Sequence, residues 1–160
     1  MTQPTKNGAR LKKGSIILVA LTGLVGGFEG LREYAYRDPV GIPTICFGET
    51  RGVQMGDHKT TADCKAMLGD RLIVLSTGVD KCLVVPVPDK TYEAYVSLAY
   101  NIGVKAFCGS TVVRRANTED VLSSCDAILL WNKAGGFVLP GLDKRRHVER
   151  DLCRAGVLGT

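Results

Sequence analysis

Apolar positions first run unbroken along this chain and then settle into helical spacing. Residues 14–28, GSIILVALTGLVGGF, carry no charge. Next, EGLREYAY reads as a short helix-like segment that begins with Glu29. Residues 38–47 read as a tight β-hairpin. Asp38-Pro39 and Gly41 supply its turn chemistry, and Thr44-Ile45-Cys46-Phe47 alternates like a strand. A polar loop follows over 51–59. Thr60 then faces Asp63 in a capping-box pattern, and Ala62, Met67, Leu68, Leu72, Ile73 and Leu75 recur at helical spacing. The pattern predicts a long helix over 61–81, suited to joining two lobes, and the extended VVPVP at 84–88 breaks it. Another helix is expected over 89–102, ended by Gly103, with Tyr92, Tyr95, Val96, Leu98 and Ala99 as a core-facing stripe. Ser110 is placed to cap STVVRRAN. Thr118 and Asp120 open a helix over TEDVLSSCDAILLWNK that stops at Gly135-Gly136, with Trp131 read as core, or else as lining the cleft. Pro140 suits the first turn of a last helix, PGLDKRRHVERDLC, which Gly156 follows.

The whole reads as an α+β fold, mostly helical. A small N-terminal lobe carries the hairpin, and a long helix joins it to a helical C-terminal lobe. With 160 residues, 45% of them hydrophobic, the chain can bury one core and is not a disordered protein. The net charge of +5 suits an anionic partner such as nucleic acid, a membrane surface or a wall polymer, but proteins that bind none of these carry as much. Six cysteines stand at 46, 64, 82, 108, 125 and 153 without a C-x-x-C pair, and His58 and His147 are the two histidines. This pattern argues against zinc and fits disulfides made in an oxidising compartment, with buried free thiols as the alternative. Spacing alone does not choose the pairing.

The N-terminus divides further. Residues 1–13, with Lys6, Arg10, Lys12 and Lys13, form a basic arm expected to be flexible. Such a positive flank predicts that the arm stays in the cytoplasm and the rest is exported. The uncharged run over 14–28 is shorter than the ~20 residues a membrane span needs. It is also weakened by four glycines, Ser15 and Thr22. A cleaved signal peptide, a buried core helix and a weak anchor that inserts and then leaves all fit it. Cleavage after Gly26 or Gly27 would leave Glu29 on a ragged terminus, a poor mount for a group needing fixed geometry.

Glu29, Asp38 after eight intervening residues, and Thr44 after five more set an acid on a helix against a carboxylate and a hydroxyl on a hairpin. Glycoside hydrolysis uses such a set: one carboxylic acid protonates the leaving oxygen, and a carboxylate on the opposite face activates water. Glu33, one helical turn after Glu29, competes for the acid's place but not with the right spacing to Asp38.

The Glu29, Asp38 and Thr44 spacing resembles that of the phage-type lysozymes, and more closely the endolysins of lambdoid and related tailed phages. The segments DPVGIPTICFGET, SLAYNIGVKAFCGSTVVRRAN, LLWNKAGG and LPGLDKRRHVERDLC extend the match, in order, over most of residues 28–155. The resemblance implies hydrolysis of the β-1,4 bond between N-acetylmuramic acid and N-acetylglucosamine in peptidoglycan, usually with inversion. Glu29 would be the general acid, Asp38 the ionised stabiliser and Thr44 the holder of water. Arg145 or Arg146 would steady Glu29, unless both belong to a solvated basic face. No metal or organic cofactor, no nucleic acid and no second subunit is implied.

The N-terminal stretch resembles the signal-anchor-release endolysins, which are exported uncleaved, tethered inactive in the host inner membrane, and freed into the periplasm when the membrane potential collapses. No cysteine precedes Cys46, so the resemblance points to the type silenced by the membrane itself, in which release lets the segment pack onto the body. Residues 29–160 would form the catalytic domain. One departure stands out: Glu49-Thr50 replaces the His-Thr of many relatives, adding a carboxylate near the cleft that acts on neighbouring acids by like-charge repulsion. Cys125 and Cys153, on two helices expected to pack together, are the first disulfide to expect. Cys46–Cys64 and Cys82–Cys108 complete the set as trial pairs. A lytic transglycosylase, or a wall-binding module without catalysis, are the rival functions.

Overall fold

In the computed structural model, which describes residues 10–160, the uncharged stretch forms helix α1, Ile16–Glu29. The Ser15 side chain accepts a hydrogen bond from the Leu18 N–H, one of the donors that a helix start leaves unmet. Leu18, Leu21 and Val25 recur on one face and are buried, whereas Ile16 and Val19 stay 89% and 66% exposed. Here the stretch is a core helix with a bare outer side. Among the described residues no helix is long and apolar enough to cross a membrane. Of the basic arm, residues 1–9 lie outside the described residues. Leu11 is buried, and the Arg10 guanidinium sits 5.2 Å from the centre of the Tyr92 ring.

Gly30, at φ +77, ends α1. The segment after it is not helical. Strand β1, Arg32–Arg37, pairs antiparallel with β2, Pro43–Cys46, setting Tyr36 opposite Thr44 and Arg32 opposite Cys46. EGLREYAY contains good helix formers, but its backbone groups find partners elsewhere. Besides β2, the Ala35 N–H donates to Asp57 O at 2.9 Å and Glu33 O accepts from the Lys59 N–H at 2.8 Å. Tertiary pairing overrides local preference here.

Helix α2, Thr61–Cys82, carries the expected capping box between Thr60 and Asp63. Helix α3, Asp89–Ile102, runs through the core with Tyr92 and Tyr95 fully buried. Three short helices follow: α4, Val104–Cys108; α5, Thr111–Asn117, capped by Ser110; and α6, Val121–Ala127, capped by Asp120. The single helix expected over 118–133 is instead α6, a 3-10 turn at Ile128–Trp131 that leaves Trp131 half-buried, and the first strand of a small hairpin. That hairpin pairs β3, Lys133–Ala134, with β4, Phe137–Val138, across Gly135-Gly136, both at positive φ as a two-residue turn of this kind requires.

Helix α7, Pro140–Leu158, continues past Gly156. A Cβ at Gly156 would lie 2.5 Å from Thr91 Oγ1, so this glycine permits the close crossing of α7 on α3 and does not end the helix. The cysteines pair as Cys46–Cys64, Cys82–Cys108 and Cys125–Cys153, leaving no free thiol among the described residues. These bonds join β2 to α2, α2 to α4, and α6 to α7.

Candidate active site

Glu29 is the last residue of α1, where the helix dipole disfavours a negative charge. A cation offsets this: Arg145 Nη1 on α7 donates to Glu29 Oε1 at 2.7 Å. The rest of that guanidinium is also committed. Its Nε donates to Glu149 Oε1 at 3.1 Å, its Nη2 to Ser97 O at 3.3 Å, and it lies 4.6 Å from the centre of the Phe28 ring. The fork of five donors lets one arginine serve α1, α3 and α7 together, which a lysine cannot do. Glu149 is fully buried. It accepts from the Ser97 hydroxyl at 2.7 Å and from Arg146 Nη1. Arg146, also fully buried, donates to Trp131 O at 2.8 Å and to Asn101 Oδ1. Arg145 and Arg146 therefore face Glu29 and Glu149 in a charge-balanced cluster. They are not a solvated basic face, and Arg145, not Arg146, reaches Glu29.

The hairpin holds the other two candidates. Asp38 Oδ1 accepts from the Val40 N–H at 3.0 Å and the Ile42 N–H at 2.8 Å, so the turn fixes the carboxylate and the carboxylate fixes the turn. The Thr44 hydroxyl donates to Ile42 O at 2.9 Å and is buried. Its one proton is committed, which leaves its oxygen lone pairs to accept from a guest such as water. β1 starts two residues after Gly30, so α1 and the hairpin are joined by a short link.

Glu33, the rival acid, accepts from the Thr61 hydroxyl at 2.6 Å and ties β1 to the start of α2. As a strand residue it shares no helix face with Glu29. Glu49 lies beyond β2, bound to Ile45 through both backbone groups at 2.9 Å. Its carboxylate meets Arg71 Nη1 at 3.5 Å, so the extra negative charge comes with its own cation. The same Arg71 guanidinium lies 5.1 Å from the centre of the Tyr100 ring. Burial pushes the Tyr100 phenol above its ordinary range; Arg71 opposes that shift, and the charges of Glu29 and Glu49 add to it. Tyr100 thus lies within electrostatic reach of both carboxylates. Neither Tyr100 nor Arg71 is singled out by sequence: one sits among core aromatics of α3, the other on the polar side of a long helix.

The family model described as phage lysozyme matches residues 26–149. The chain is similar to the SAR-endolysin of Bacteriophage PS119, 38% identical over 153 residues that cover 92% of each chain. Among solved structures it is similar to a mutant P22 lysozyme, with TM-score 0.77, 36% identity, and 83% of this chain and 94% of that one covered. The P1 phage endolysin Lyz shares the fold at lower identity. Its active form gives TM-score 0.75 at 23% identity over 89% of this chain and 93% of its own. Its secreted inactive form gives 0.56 at 19% identity over 89% and 96%.

Proposed function

The chain belongs to the phage lysozyme family as an endolysin of the SAR type, a peptidoglycan-cleaving enzyme, and we propose that it hydrolyses the β-1,4 bond between N-acetylmuramic acid and N-acetylglucosamine. The observation that carries this reading is the Glu29–Arg145 contact, which holds one carboxyl group at the end of α1 against the body of the protein. Arg145 also binds the buried Glu149, so its charge is divided between two carboxylates. In the reaction Glu29 gives its proton to the glycosidic oxygen as the bond breaks. Asp38 stabilises the positive charge that develops on the sugar ring and takes the proton of the water that Thr44 holds as that water adds to the anomeric carbon.

The same reading extends to delivery. Residues 14–28 act as a weak, uncleaved anchor in the host inner membrane, with the arm over 1–13 in the cytoplasm. After release into the periplasm the segment folds as α1 and the enzyme works as a monomer. Support comes from continuity: Glu29 is part of α1, so the acid can be at work only when that helix is on the body.

Glu29→Gln tests the chemistry. The amide keeps the shape and a hydrogen bond to Arg145 but has no proton to give, so wall lysis should fall by orders of magnitude with the melting temperature little changed. Mass spectrometry of the released muropeptides should show reducing N-acetylmuramic acid ends. Anhydro ends would identify a transglycosylase, and undiminished lysis by Glu29→Gln would remove the acid role. For delivery, sequencing the N-terminus in membrane and soluble fractions should find the same uncleaved chain in both.

A further inference from the structure

Gly23, Gly26 and Gly27 occupy adjacent positions on α1 but have different surroundings. A Cβ built on Gly26 lies 3.1 and 3.3 Å from the Cε1 and Cζ ring carbons of Phe47 and 3.6 Å from Leu68 Cδ2, whereas one built on Gly23 or Gly27 meets nothing within 4 Å. The wall that Gly26 meets has little room to retreat. Phe47 and Leu68 are 7% and 2% exposed, and the residue before Phe47, Cys46, is bonded to Cys64 on α2. Gly26 also precedes Glu29 by three residues, on the same side of the helix, and its carbonyl accepts the Gly30 N–H at 3.1 Å in the bond that closes the last turn.

A glycine inside a helix is less favourable than an alanine. At Gly26 the close ring contact supplies a reason for that cost. We propose that Gly26 is a positioning residue. Its missing side chain forms the notch through which α1 seats on Phe47, and that seat sets where the Glu29 carboxyl meets Arg145. The inference rests on Glu29 being the proton donor.

Three alanines that add the same methyl make the test, each measured in purified full-length enzyme on isolated murein. Gly23→Ala and Gly27→Ala should keep kcat to within about twofold. Gly26→Ala should lower kcat several-fold with KM unchanged, and Gly26→Leu by about a hundredfold, the penalty for a misplacement on the order of 1 Å. Phe47→Leu added to Gly26→Ala should restore kcat to the level of Phe47→Leu alone, because a smaller side chain reopens the seat. That rescue keeps the test decisive even where Gly26→Leu does not fold. The inference falls if Gly26→Ala matches Gly23→Ala, or if its loss persists with Phe47→Leu. Glu29→Gln run alongside separates the two layers. An active Glu29→Gln enzyme removes the reading beneath, while an inactive one beside three indistinguishable alanines removes the notch alone.

Discussion

Removing the disulfides one pair at a time should cost similar stability but unequal activity. The bonded cysteines are 18, 26 and 28 residues apart for Cys46–Cys64, Cys82–Cys108 and Cys125–Cys153. Loop-closure entropy changes slowly over that span, so each bond contributes about 3 kcal/mol by restricting the unfolded chain. At this chain length that corresponds to roughly 10 °C in melting temperature. Catalysis should discriminate where stability does not. Cys46–Cys64 fixes the strand that carries Thr44 to α2 and backs the Phe47 seat of α1. Cys125–Cys153 joins α6 to α7, and Thr91 already ties the Cys153 carbonyl to α3 at 2.9 Å. The paired Cys→Ala variants are to be compared by thermal melts and by murein turbidity clearance well below each melting temperature. The Cys46/Cys64 variant should lose about tenfold or more in kcat, since small displacements of reacting groups are amplified in rate. The Cys125/Cys153 variant should stay within about twofold. Equal losses of activity, tracking stability alone, would refute the claim that the first bond holds the hairpin of Asp38 and Thr44 in its working place.

Arg145→Met should lower stability by about 3 kcal/mol, the low end for breaking a buried pair because Glu149 keeps Ser97 and Arg146. It should also cut kcat by about a hundredfold; a normal kcat in a destabilised protein would make Arg145 purely structural. Glu93 offers a pH test. Burial, helped by the Asp89 charge and opposed by Lys90, pushes its carboxyl from 4.5 to about 6. The folded state therefore holds that proton more tightly than the unfolded state. The stabilisation is fully present below about pH 4.5 and is lost as pH rises through about 6. Glu93→Gln should then exceed the parent by about 2 kcal/mol in melts above neutral pH and match it near pH 4. Arg10→Ala removes the stack on Tyr92 and a 3.5 Å pair with the exposed Asp89. It should lower stability by about 1 kcal/mol, whereas an unchanged melt would mean that Arg10 contributes nothing to the fold.

Periodicity made α2 and α3 legible, and the caps at Thr60, Ser110 and Asp120 gave helix starts, because these signals act within a few residues. Signals decided at a distance were hidden. Arg32–Arg37 is a strand because Pro43–Cys46 and the loop carbonyl of Asp57 complete its hydrogen bonds. Gly156 marks tight helix crossing, which is indistinguishable in sequence from a helix stop until Thr91 is seen against it. Among the site candidates, Arg145 could be separated from Arg146 only by the rotation of α7. One turns to Glu29 and the other inward to Asn101 and Trp131. The departure at Glu49 was visible, but its consequence was not, because the compensating Arg71 lies 22 positions away on another element.

Helix α1 has to satisfy two solvents, and the structure allows the two to be weighed on the release reading. In a bilayer, its eight large apolar side chains contribute roughly 0.5 kcal/mol each, about 4 in total, from which the glycines, Ser15 and Thr22 subtract. On the body, burial of Leu18, Leu21 and Val25 contributes about 2 kcal/mol each, or about 6 in total. Docking thus outweighs insertion by a few kcal/mol, and apolarity alone would not hold the chain in a membrane. On the release reading the arm would supply the missing restraint. On that reading Lys6, Arg10, Lys12 and Lys13 would have to cross before Arg10 could reach Tyr92, each moving outward against about 2.3 kcal/mol per 100 mV. Four charges make that about 9 kcal/mol, enough to reverse the preference while the membrane is energised and to vanish when it is not. The exposed Ile16 and Val19, which pack against little in the folded enzyme, then have a use in the bilayer. On that reading Arg10, one of the four charges resisting release, is also the one with a seat beside Tyr92, so the same charge would delay folding and then contribute to it.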